Sequence, residues 1–89
     1  MKTYHYVIKG QVQGVNFRWY TLRTARNYSI KGTVQNLWNG DVEVYAQGEP
    51  ENMRIFEEFL HEGPTFARVT DVSREEFESE RVYDIFEII

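Results

Sequence analysis

The chain has no cysteine among its 89 residues. That excludes a disulfide framework, a thiol nucleophile and a thiolate metal site. Its only histidines, His5 and His61, stand too far apart to form a metal-ligand spacing. No apolar run approaches the roughly 18 residues that mark a membrane-spanning helix. The opening Met1-Lys2-Thr3-Tyr4-His5-Tyr6 lacks the apolar stretch of a signal peptide. A cytoplasmic protein with no membrane association is expected. Basic residues are also in deficit: 10 Lys and Arg face 14 Asp and Glu, for a formal charge of −4. That balance disfavours nonspecific binding to nucleic acid or to an anionic membrane. Linkers, internal repeats and low-complexity segments are missing too, so residues 1–89 are expected to form one complete domain.

A hydrophobic content of 42% and an aromatic content of 16% suffice for one compact core. From Thr3 to Lys9, Tyr4, Tyr6 and Ile8 alternate with His5, Val7 and Lys9, the period of a strand. A loop follows from Gly10 to Asn16. From Phe17 to about Tyr28 the period becomes helical, with Phe17, Thr21, Ala25 and Tyr28 on one face and Leu22 beside them. Ser29 and Lys31-Gly32 end that helix, and Ile30 to Leu37 returns to strand character. Asn39-Gly40 is a strong hairpin signal, read as the centre of a type I′ turn. Asp41 to Ala46 alternates again. Gly48-Glu49-Pro50 breaks the strand and opens a second helix to His61, with Met53, Phe56, Phe59 and Leu60 at burial spacing. Gly63-Pro64 stops it. Ala67 to Glu78 is a strand in which Val72 falls out of phase, so a bend or bulge is expected there. Val82 to Ile89 closes the chain as a last strand. The acidic run from Arg74 to Arg81 reads as a solvated turn or strand end. The order implies an α+β fold, a ferredoxin-like α/β sandwich (βαββαβ), with both helices on one face of an antiparallel sheet and a short extra strand at the end.

Residues 12 to 18 read Val-Gln-Gly-Val-Asn-Phe-Arg, between the first strand and the first helix. A small polar loop entering a helix presents unpaired N–H groups at the positive end of the helix dipole, a ready anion site. Gly14 lets that loop fold tightly around an oxyanion. Arg18 adds a permanent cation whose planar fork matches two phosphate oxygens. A cation in a helix's first turn is electrostatically unfavourable unless an anion compensates it. The stretch therefore reads as a phosphate cradle with its own clamp. No carboxylate pair stands near it to hold Mg²⁺, and there is no Gly-Lys-Ser/Thr of a nucleotide P-loop. Neither a metal nor another cofactor is implied.

Gly10 to Arg18 resembles the acylphosphatase signature, Gly-(Arg/Lys)-Val-Gln-Gly-Val-x-Phe-Arg. Gly32-Thr33-Val34-Gln35-Asn36-Leu37-Trp38-Asn39-Gly40-Asp41-Val42 is similar to that family's Gly-Trp-Val-x-Asn-x-x-x-Gly-x-Val. Gly63-Pro64-Thr65-Phe66-Ala67-Arg68-Val69 is similar to its Gly-Pro-x-x-Ala-x-Val. The resemblance implies hydrolysis of an acyl phosphate to carboxylate and inorganic phosphate, without a metal, by in-line attack of water. It assigns Arg18 to the phosphoryl group and Asn36 to the attacking water. Gly14, Val15, Asn16, Phe17 and Arg18 would bind phosphate through their backbone N–H groups. Inorganic phosphate should then act as product and competitive inhibitor. With no strand edge that looks sticky, a monomer is expected. Three positions depart from the pattern. Gln11 replaces a cation beside the loop, and Ser29 stands where glycine is common at the helix end. Thr33 replaces a tryptophan, whose packing could be taken up by Trp19 or Trp38. Two other classes stay open: an RNA-binding sheet, which would need a basic face with exposed aromatics, and a small-anion or carbamoyl-phosphate-handling module that keeps the cradle without turnover.

Overall fold

The computed structural model describes all residues, Met1–Ile89. Five strands and two helices follow in the order β1 (Lys2–Gln11), α1 (Phe17–Asn27), β2 (Lys31–Asn36), β3 (Val42–Gln47), α2 (Pro50–Glu62), β4 (Arg68–Glu78) and β5 (Phe86–Ile88). They form one sheet in the order β4-β1-β3-β2-β5. Strand alternation turns Tyr4, Tyr6, Ile8, Val34, Val42, Val44, Ala46 and Phe86 into the core. Phe17, Leu22 and Ala25 of α1 and Met53, Phe56 and Leu60 of α2 close over them. The Phe56 ring sits edge-on to both Tyr6 and Phe86, each at 6.1 Å between centroids, and so joins the middle of the sheet to its far edge. No helix is long and apolar enough to cross a membrane.

The sheet is mixed rather than wholly antiparallel. β2 pairs with β5 in parallel, whereas its other pairings are antiparallel. The reason is where the chain crosses. β4 ends beside the start of β1, at one edge of the sheet. Residues 79–85 then run along that same end past Gln47, whose amide donates to the Arg81 carbonyl and accepts from the Tyr83 N–H. The chain reaches the start of β2 from below and can only rise alongside it. This crossing takes up residues expected in the last strand, which is confined to Phe86–Ile88.

The expected irregularity in β4 is a bulge. Lys9 pairs with Asp71 and Gly10 with Val69, so Thr70 is the extra residue, two positions before Val72. The insertion resets the alternation and lets both Val69 and Val72 pack against the core. Gly10 is required there: a Cβ would lie 2.0 Å from the Arg68 carbonyl oxygen. From Arg74 to Glu78 the acidic run lies in β4 itself, exposed along an edge of the sheet, with Lys2 and Arg74 paired to its glutamates or to Glu57. Charges of this kind discourage pairing with another chain.

The β2–β3 connection also differs from expectation. The Gly40 N–H donates to the Leu37 carbonyl, so Trp38 and Asn39 are the central residues of the turn. Asn39 keeps negative φ and Gly40 alone is left-handed (φ 100°). This is a type I turn followed by a glycine bulge, which joins twisted strands as well as a primed turn does. Asn39 Oδ1 accepts from the Asp41 N–H and steadies it. Trp38, at the tip, is fully exposed, and Trp19 is 47% exposed. Neither replaces the tryptophan missing at Thr33. On that open face Thr33 pairs across with Tyr45, whose ring stacks on His5 at 4.4 Å.

α1 ends in a Schellman motif: the Ile30 N–H donates to the Ala25 carbonyl at 2.8 Å and the Ser29 N–H to the Arg26 carbonyl at 3.4 Å. The motif needs a left-handed residue, and Ser29 supplies it at φ 55°.

Candidate active site

Val12 to Asn16 leave the end of β1 and enter α1 through an irregular loop. Gly14 is left-handed (φ 75°), as is Asn16 (φ 71°), with Val15 between them at negative φ. Alternation of handedness turns successive N–H groups toward one concavity, an anion-binding nest. A Cβ at residue 14 would meet nothing within 4 Å, so glycine serves the backbone angle rather than a tight fit. None of the N–H groups of residues 14–19 donates to a protein acceptor. Asn16 is the helix N-cap, yet its side chain caps nothing, and the first turn carries no acidic residue. The positive end of α1 is thus left without an internal counter-charge. Arg18 is exposed and makes no ion pair with any carboxylate.

Asn36 arrives from the other side. It is the last residue of β2, two after Val34, so its side chain shares the helix-covered face. Parallel pairing sets Ile88 across from Val34 on that face. The result is a cavity of about 310 Å³ lined by Gly14, Asn16, Phe17, Arg18 and Asn36, with Val12, Trp19 and Ile88 as apolar walls. The fold therefore brings Arg18 and Asn36, separated in sequence by the whole of α1, onto one cavity together with the loop. Val15 is not among the lining residues; its side chain packs against the core instead.

The Asn36 amide carries a tension. Its Oδ1 is buried and has no hydrogen-bond partner. A buried acceptor left unmade is costly, and an amide is so nearly symmetric in shape that turning it over simply exchanges its two ends. Turning over as water and substrate bind would present Oδ1 to the cavity, where it can accept from that water, and would bury Nδ2 in its place.

Gln11, where a cation was expected, pairs across the sheet with Arg68, an exposed arginine without an ion-pair partner. A positive charge therefore stands across the sheet from Gln11, although Arg68 does not line the cavity. Sequence reading passed over Gln13, whose amide ties the loop to the β2–β3 hairpin, and it passed over Ile88 and Trp19 as cavity walls. Gln13 stands inside the loop motif and could have been singled out there. Ile88 could not, because its place depends on the parallel edge.

The acylphosphatase family model matches residues 4–88. An acylphosphatase of Vibrio vulnificus is 44% identical over 84 residues, covering 94% of this chain and 92% of that protein. The crystal structure of acylphosphatase from Bacillus subtilis superposes with a TM-score of 0.96 at 34% identity, over 100% of this chain and 99% of that one. Thermococcus kodakarensis HypF contains a similar unit: TM-score 0.90 and 30% identity over the whole of this chain, but only 12% of that larger one. The family match and these relatives extend along nearly the whole length of the chain, and the chain belongs to the acylphosphatase family.

Proposed function

We propose that this chain hydrolyses acyl phosphates, R–CO–O–PO₃²⁻, by direct attack of water on phosphorus. The single observation that carries the reading is the convergence of Arg18, Asn36 and the unpaired loop N–H groups on one cavity. The loop N–H groups and the Arg18 guanidinium hold the phosphoryl oxygens and offset their charge. Asn36, with Oδ1 turned outward, holds a water in line with the bond that breaks. The water oxygen bonds to phosphorus as the P–O bond to the acyl oxygen opens. The bonding pair leaves with the carboxylate, and the water's proton passes to a phosphoryl oxygen. A carboxylate is a good leaving group, so no general acid is needed. No step calls for a metal, because fixed donors and one arginine already supply the positive field. Inorganic phosphate occupies the same cradle and competes with substrate. The protein works in the cytoplasm as a monomer, and the charge-lined β4 edge supports the monomeric state.

The kinetic test compares wild type, Arg18→Ala and Asn36→Ala on benzoyl phosphate in EDTA, with phosphate titrated as inhibitor. Loss of one preorganised donor typically removes about 10²–10³ in rate. Arg18→Ala is expected to lose substrate affinity, phosphate affinity and turnover together. Asn36→Ala is expected to lose turnover and keep phosphate affinity. Phosphate inhibition surviving intact in Arg18→Ala would sink the clamp assignment. Phosphate binding without turnover in the wild type would instead leave a cradle that performs no chemistry, as in an anion-binding module.

A further inference from the structure

Gln13 is half-buried at the start of the phosphate loop. Its Nε2 donates to the Leu37 carbonyl at 2.8 Å and to the Asp41 carbonyl at 2.8 Å. Those carbonyls face each other across the neck of the β2–β3 hairpin, and each already accepts a backbone bond: Leu37 from Gly40, Asp41 from Leu37. Both hydrogens of one amide thus close a neck whose next residue back is Asn36. Gly14 directly follows Gln13. One side chain therefore spans from the residue before the cradle to the residue after Asn36, whereas the covalent path between them runs the whole length of α1.

We propose that Gln13 is a positioning residue, whose amide sets the separation between the phosphate cradle and Asn36. The inference rests on the functional reading above, in which the cradle holds phosphorus and Asn36 holds the water. An in-line reaction is sensitive to that separation: a misplacement of about 1 Å can cost about 10²-fold in rate. The cradle's own grip on phosphate does not depend on it, because the N–H groups and Arg18 lie on the loop and α1. Neither carbonyl can be served by an acceptor, so a carboxylate at residue 13 would repel both. A protonated carboxyl, by contrast, has one hydrogen to donate.

The test uses Gln13→Glu and Gln13→Met in the full chain, with kcat and KM for benzoyl phosphate, the inhibition constant of inorganic phosphate, and melting temperature, each measured from pH 5 to 8 beside the wild type. A glutamate ordinarily titrates near 4.3 and is raised by burial and by facing carbonyls. Gln13→Glu is expected to lose about tenfold to a hundredfold in kcat at pH 8, with KM and phosphate inhibition within about threefold of wild type. Its kcat relative to wild type should recover as pH falls and the carboxyl gains its proton. The Lys9–Asp41 pair, which joins β1 to the same hairpin, is present in both proteins and drops out of that ratio. Gln13→Met, with no hydrogen to donate at any pH, is expected to lose kcat without recovery. Unchanged kcat in both variants overturns the inference, as does a loss of kcat and phosphate affinity in step with melting temperature and with no pH recovery in Gln13→Glu. A wild type that turns over no benzoyl phosphate overturns the functional reading itself, and Gln13's positioning role with it. Normal wild-type turnover beside an unimpaired Gln13→Glu overturns the Gln13 inference alone.

Discussion

Replacing Asn36 by alanine should make the protein more stable while it removes turnover. In the free protein the Asn36 Oδ1 is buried with no partner, on a residue that ends a strand where asparagine is a poor former. An unsatisfied buried acceptor costs about 1–3 kcal/mol. Truncation removes that penalty. It also gives up the packing of one short, half-buried carboxamide, worth about 0.8 kcal/mol by comparison with a buried methylene. The net expectation is a gain of about 1 kcal/mol. In a domain of this size that raises Tm by about 4–8 °C. The assay is a thermal melt of wild type and Asn36→Ala from the same preparation as the turnover measurement. A second melt at saturating inorganic phosphate checks that both proteins gain equally from the ligand, about 2.7 kcal/mol at a hundredfold excess over Kd. A fall in Tm would refute the claim that Asn36 is held at a cost to the fold. Equal turnover in the two proteins would refute its placement in the reaction.

Two further outcomes follow from other parts of the fold. Ser29→Gly should stabilise by about 1 kcal/mol, because the Schellman position is left-handed (φ 55°) and glycine adopts it without the Cβ penalty; a denaturant melt with an unshifted midpoint would contradict this. Burial, reinforced by Glu62, pushes the Tyr20 phenol up to about 12 from its usual 10.0. The folded state therefore keeps a proton that the unfolded chain has released, and stability should fall as pH rises from about 10 toward 12. The decline should be shallower in Tyr20→Phe, measured by urea melts across that window, and an identical decline would remove Tyr20 from the account. The substitution also removes the bond from the Tyr20 hydroxyl to the Phe59 carbonyl, which ties α1 to α2 at 2.9 Å. The comparison is therefore of slopes, not of absolute stability.

Most of this fold was legible because local periodicity and core burial agree. Tyr4, Tyr6 and Ile8 alternate into the core as a strand should, and Met53, Phe56 and Leu60 recur as a helix should. Val72 out of phase correctly announced an irregularity, and the bulge at Thr70 is its cause. What could not be read depends on distant parts of the chain. The direction of β5 follows from the crossing of residues 79–85 beneath the sheet, anchored by Gln47, and no local pattern encodes that route. The hairpin turn was misread by one residue because Asn-Gly serves a type I turn with a glycine bulge as readily as a primed turn. At the site, the loop and Arg18 suggested anion chemistry from their own residues, and the fold places both on one cavity. Asn36 was legible only through the family resemblance, although its parity with Val34 already put it on the covered face. Its inward oxygen and the clasp from Gln13 are tertiary facts: both require the hairpin and the loop to be side by side.

The central claim is that water attacks the phosphorus of an acyl phosphate held in the loop cradle. Hydrolysis of benzoyl phosphate in ¹⁸O-enriched water, with EDTA present, tests it most directly. The account predicts turnover far above the uncatalysed rate, with the label in inorganic phosphate and none in benzoate. Label in benzoate, or no turnover above background, would contradict it.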